Sequence, residues 1–152
     1  MRCFMAILAS WLLIAPLTEA ASTPKPTKSD YLVTTGAGFL MSAGEGLKYG
    51  MNYELRKDIA QPLYVIALFE NPSDMAAPMR AELVVAAGSK DFQLQSPPFK
   101  TIRHDTKYEV VLQLYSDSEH TQLLGTHKQM VLFNVPPAYE AMLEDKMGIE
   151  IL

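Results

Sequence analysis

The sequence predicts an all-β domain, with about seven strands in two packed antiparallel sheets. Three observations lead there. From Tyr49 to Phe133, apolar and polar residues alternate with period two in short blocks. Turn-forming residues separate those blocks at short, regular intervals. The middle of the chain shows no helical periodicity.

Each element can be justified in order. Residues 1–20 read as a cleavable secretory signal. Arg2 gives a short positive start, Cys3 to Ala15 is an apolar run, and Thr18-Glu19-Ala20 places small residues where a signal peptidase cuts after Ala20. The run falls short of the ~20 apolar residues a spanning helix needs. Residues 21–30, rich in Pro, Lys, Thr and Ser, read as a flexible leader.

The domain is expected over residues 31–136. Tyr31 to Thr35 is the first strand. Tyr49, Met51, Tyr53 and Leu55 share one face of the next, with Asn52, Glu54 and Arg56 on its wet side. Leu63 to Phe69 is apolar on both faces and should be the central, most buried strand; Asn71-Pro72-Ser73-Asp74 stops it. Ala81, Leu83 and Val85 alternate with Glu82, Val84 and Ala86, and Gly88-Ser89-Lys90-Asp91 turns the chain. Phe92 and Leu94 form a short strand that ends at Pro97-Pro98. Tyr108, Val110, Leu112 and Leu114 face one way, and Glu109, Val111, Gln113 and Tyr115 the other. A polar hairpin loop, Ser116 to His120, leads into a last strand from Leu123 to Phe133, which Pro136-Pro137 closes. In the tail, residues 137–152, Tyr139, Met142, Leu143 and Met147 fall near one helical face; a short C-terminal helix and a frayed extension both fit.

Asp105-Thr106-Lys107-Tyr108-Glu109-Val110 resembles the start of the penultimate strand in immunoglobulin-like and fibronectin-III-like sandwiches. The resemblance covers roughly Tyr31 to Val135 and lies in pattern. It implies an antiparallel immunoglobulin-like sandwich, a binding or scaffolding role, and a tyrosine corner in which the Tyr108 hydroxyl bonds to upstream backbone. The family's cysteine pair is absent, and the single tryptophan, Trp11, lies in the signal; Tyr64 or Phe69 is the expected replacement in the core.

Composition narrows function. Net charge is −4. That balance argues against nucleic acid, whose phosphates require a basic surface, and against a polybasic membrane-surface domain. No segment after residue 20 is long and apolar enough to span a bilayer, so no stable membrane insertion is expected after cleavage. The single cysteine, Cys3, lies in the signal, which leaves the domain without disulfide, thiolate metal site or cysteine nucleophile.

Chemistry-bearing residues are sparse. His104, His120 and His127 match no ligand spacing, though His120 and His127 could approach across the hairpin with Asp117 or Glu119. Ser42, Ser73 and Ser116 sit in turn contexts with no Gly-x-Ser-x-Gly. Thr35-Gly36-Ala37-Gly38 reads as a flexible connection between the first two strands. Phe39-Leu40-Met41, flanked by glycines, is a compact apolar patch: either a short edge strand packed on this domain's own core, or a contact surface for a partner.

The expectation is a periplasmic or extracellular, non-enzymatic sandwich that binds or scaffolds another envelope or exported protein, with no cofactor, no metal and no catalytic residue. Two alternatives remain: a small β-barrel carrying an apolar ligand, and a hydrolase or metal protein using His104, His120 and His127.

Overall fold

The computed structural model describes residues 27–42 and 44–152. The expected signal at 1–20, its cleavage point and the leader as far as residue 26 lie outside them. The chain runs β1 (Leu32–Ser42), β2 (Gly46–Leu55), β3 (Leu63–Phe69), β4 (Met79–Val85), β5 (Asp91–Gln95), β6 (Thr101–Ile102), β7 (Thr106–Tyr115), β8 (Leu123–Phe133), α1 (Pro137–Met147) and β9 (Glu150–Ile151).

Alternation sets the layers. On β2, Leu47, Tyr49, Met51, Tyr53 and Leu55 are buried, while Asn52 and Glu54 face water. β2 lies between β1 and β5 in a three-stranded antiparallel sheet. The second sheet is antiparallel and four-stranded, in the order β4-β3-β7-β8. The strand that is apolar on both faces, β3, takes an interior place in it. The result is an open two-sheet sandwich with one short helix.

Aromatic rings fill the layer between the sheets. Tyr49 lies with its centroid 5.3 Å from Phe69 and 5.4 Å from Phe99. Phe39 lies 4.9 Å from Tyr49 and 5.3 Å from Phe133. Such pairs add ~0.5–1.5 kcal/mol each beyond the area they bury. Phe69 is fully buried in this layer, whereas Tyr64 points outward from β3 and is half-buried.

Three features differ from the sequence reading. Thr35 to Gly38 is no flexible connection: β1 is continuous and pairs with β2 from Leu32 to Ser42, with Gly38 opposite Gly50. Ladder hydrogen bonds need only backbone, and a register shift between Thr34 and Gly36 absorbs the irregularity. Secondly, the end of the expected leader is bound. Thr34 N–H donates to Thr27 O at 2.9 Å, Lys28 bridges Val33, and the Arg56 guanidinium donates to Ser29 O. Thirdly, β6 and β9 form a small parallel pair, too short to leave an alternation.

The tail is helical. Proline opens α1, and Gly148, at φ 63°, closes it: Gly148 N–H donates to Glu144 O and Ile149 N–H to Leu143 O. This closure brings Leu143 and Ile149, both buried, into the core. Met142 and Met147 are half-buried and Tyr139 is exposed, so the expected apolar face is only partly used.

Candidate interaction surface

Strand alternation divides Phe39-Leu40-Met41. Phe39 turns inward to the aromatic cluster; Leu40 and Met41 are 44% and 52% exposed. Leu40 lies flat over Gly50, where an added Cβ would meet Leu40 carbons at 2.7 and 2.8 Å. Beside it is an outer depression of about 400 Å³, lined by Gly38, Gly50, Asn52, Gln93 and Gln95 among others. The patch is therefore part of an edge strand with one residue in the core.

Tyr108 is buried on β7, and its hydroxyl accepts the Arg103 N–H at 2.8 Å, five residues upstream. The Tyr49 hydroxyl donates to Glu70 O at 2.7 Å. Burial, then the nearby Tyr108 and Glu70, raises the Tyr49 phenol well above its ordinary pKa. Tyr108→Phe is expected to cost ~1 kcal/mol, since the Arg103 N–H loses its acceptor. An unchanged denaturation midpoint contradicts that role.

The three histidines occupy separate surroundings. His104 Nδ1 meets Glu140 Oε1 at 2.6 Å and ties α1 to the turn before β7. His120, at φ 56°, packs on Tyr115 at 5.1 Å and Tyr64 at 6.5 Å. Asp117 holds that loop by accepting bonds from Thr121 and Gln122, and the Thr121 bonds lower its pKa. His127 is buried between the sheets, with Nε2 2.8 Å from Thr34 Oγ1 and Nδ1 2.8 Å from Ser29 Oγ. It fastens Ser29 and β1 to β8. His120 and His127 thus do not meet across the hairpin. Among the described residues, no three His, Cys, Asp or Glu side chains are grouped to hold a metal ion.

Burial lowers the His127 pKa below its ordinary ~6.5. The unfolded chain therefore binds the proton more readily than the folded protein does. Stability from this group is full above the unfolded pKa and is lost as pH falls from there through the folded one. The thermal midpoint should drop between pH 7.5 and pH 5, and His127→Gln should reduce that drop. Equal drops in both proteins contradict the assignment.

The outer face of the four-stranded sheet carries exposed apolar side chains. Strand register defines its rows. Arg80, Leu68, Val111 and Lys128 form one; Glu82, Ile66, Gln113 and Thr126 form the row on one side. On the other side, Glu70 N–H donates to Glu109 O and Glu109 pairs with Met130; beyond that, Lys107 pairs with Leu132. Met75 and Pro78 rise from the β3–β4 loop and wall a groove of about 570 Å³ over Leu68, Val111 and Met130, which Glu70, Lys107 and Glu109 also line. Met75 is 69%, Val84 57%, Met130 46% and Leu132 44% exposed.

The sequence reading missed this face, although the signal was present. The outward positions on β3, β7 and β8 include Ile66, Leu68, Val111, Met130 and Leu132, where a sheet facing only water would carry polar residues. Compared with models of known protein families and with curated proteins, the chain matches none.

Proposed function

We propose that the chain is an exported, non-enzymatic sandwich that binds a protein partner through the outer face of its four-stranded sheet. One observation carries the reading: Met75 and Met130 stand exposed beside the half-buried Leu68 and Val111, in a groove that Glu70, Lys107 and Glu109 also line. Exposed apolar side chains gathered in one groove mark a docking surface. The strand order β1-β2-β5 over β4-β3-β7-β8, with the Tyr108 bond to upstream backbone, supports an immunoglobulin-like or fibronectin-III-like relationship. The signal-like residues 1–20 support a periplasmic or extracellular location. A carrier needs space between the sheets, and the rings that fill this layer favour the surface reading.

Site-specific photo-crosslinking in the exporting cell tests it. A photoreactive residue at Met130 should yield a discrete protein adduct, whereas one at Gln93, on the outer face of the other sheet, should not. No adduct at Met130, or the same adducts at both positions, contradicts the proposal.

A further inference from the structure

β1 is the outer strand of its sheet. Register fixes which of its peptide groups point to the free side. On β2, the backbone of Tyr49 and Leu55 faces β5: Ser96 N–H donates to Tyr49 O at 3.2 Å and Leu55 N–H to Lys90 O at 2.8 Å. Met51 and Tyr53, at the alternate positions between them, face the same way. Tyr53, Met51 and Tyr49 stand opposite Thr34, Ala37 and Phe39 of β1, so the N–H and C=O of those three point away from β2. Thr34 is met there, since its N–H donates to Thr27 O at 2.9 Å and Lys28 bridges Val33 antiparallel. Ala37 and Phe39 meet no strand among the described residues. Their side chains turn inward yet are only half-buried, while Met51 and Tyr49 opposite them are 1% and 0% exposed. A further mark lies on β8, where Gln129 Oε1 is buried with no hydrogen-bond partner among the described residues. Gln129 stands between His127, which bonds Thr34, and Phe133, whose ring lies 5.3 Å from Phe39. That puts it at the level of Ala37.

We infer that residues 21–26 of this chain cover this edge as an added antiparallel strand. Thr27 to Ser29 run antiparallel to β1, and the sequence before them suits the same register. Thr35 is the extra residue at the register shift, so Lys25 falls opposite Ala37, Pro24 opposite Gly38 and Thr23 opposite Phe39. Thr27 turns its carbonyl to β1; by alternation Lys25 and Thr23 do so too, and Pro24 and Pro26 turn away. That outward side is where a strand tolerates a residue with no N–H. Each proline also biases the residue before it, Thr23 or Lys25, toward extended backbone. Lys25 lies over the small Ala37, and its ammonium supplies the donor that Gln129 Oε1 lacks. The length fits as well. With cleavage after Ala20, the strand begins at Ala21 opposite Met41, just short of the end of β1 at Ser42. Its prolines then face outward and stop a further strand from adding to the sheet.

Cysteine pairs in the chain from Ala21 to Leu152 test this. That chain has no cysteine of its own, and a Cβ added at Gly38 meets nothing within 4 Å. Pro24 and Gly38 form a pair without mutual hydrogen bonds, whose Cα atoms lie ~4.5 Å apart, within disulfide reach. Pro24→Cys with Gly38→Cys should therefore close an intramolecular disulfide. Thr23→Cys or Lys25→Cys with Gly38→Cys should close at least roughly fivefold less, because those side chains point to the other face. In the unsubstituted chain, the Ala37 and Phe39 amides should exchange hydrogen at least about a hundredfold slower than free peptide. Equal closure at positions 23, 24 and 25 overturns the inference, since it means no fixed register. Disulfide-linked dimers overturn it too, because another chain then occupies the edge. So does exchange of the Ala37 and Phe39 amides at the free-peptide rate.

Discussion

Phe69→Ala is expected to cost ~3–5 kcal/mol of folding stability. The side chain is fully buried on an interior strand of the four-stranded sheet. It is also the far wall of the aromatic layer: the Tyr49 ring lies 5.3 Å away, and Tyr49 in turn contacts Phe39, Phe99 and Tyr108. Truncation loses the transfer energy of the ring and leaves a cavity that two hydrogen-bonded sheets cannot close by moving together. Against a total of ~5–15 kcal/mol for a domain of this kind, that is about a fifth of the stability or more. The urea midpoint measures it. A loss below ~1 kcal/mol means that Phe69 does not face the core.

Gly46→Ala is the second large effect, expected at ~2–4 kcal/mol although it adds a single methyl. Gly46 sits at φ 111°, where L side chains are strained. Its Cβ would lie 2.5 Å from the carbonyl oxygen of Phe99. That carbonyl cannot retreat freely, because it accepts Leu47 N–H at 2.9 Å while Phe99 N–H donates to Leu47 O at 2.8 Å. This bridge holds the Phe99 ring in the core cluster. Gly88→Ala separates the two contributions: Gly88 has φ 80° but nothing within 4 Å of an added Cβ. It should cost only the backbone strain, ~1–2 kcal/mol. Equal losses at the two positions contradict the steric part of the explanation.

Much of this fold was legible in the sequence, and the reasons are specific. The β2 and β7 strands were readable because each has one wet face, so alternation marks both register and direction. The stretch from Thr35 to Gly38 was misread because glycine has no side chain to reveal which face it occupies. β6 and β9 have two residues each, below the length at which any period shows.

The candidate site was less legible. That Phe39 belongs to the core and Leu40 to the surface followed from alternation once the strand was known to continue past Gly38. The separation of the histidines was a matter of register: His127 lies opposite Leu112, well down the hairpin from the loop that carries His120. The apolar outer face was written in Val111, Met130 and Leu132, but only pairing across β3, β7 and β8 turns scattered residues into one surface.

The central claim is that alternation seals one set of side chains inside while leaving an apolar set outside on the four-stranded sheet. Methionine oxidation measures this directly, because a sulfoxide forms where oxidant reaches the sulfur. In dilute protein, Met75 and Met130 should oxidise rapidly. Met51, at 1% exposure, should react only when the domain unfolds. If Met51 oxidises as fast as Met130, or Met130 is shielded in dilute protein, the two faces have been assigned wrongly and the docking surface does not exist.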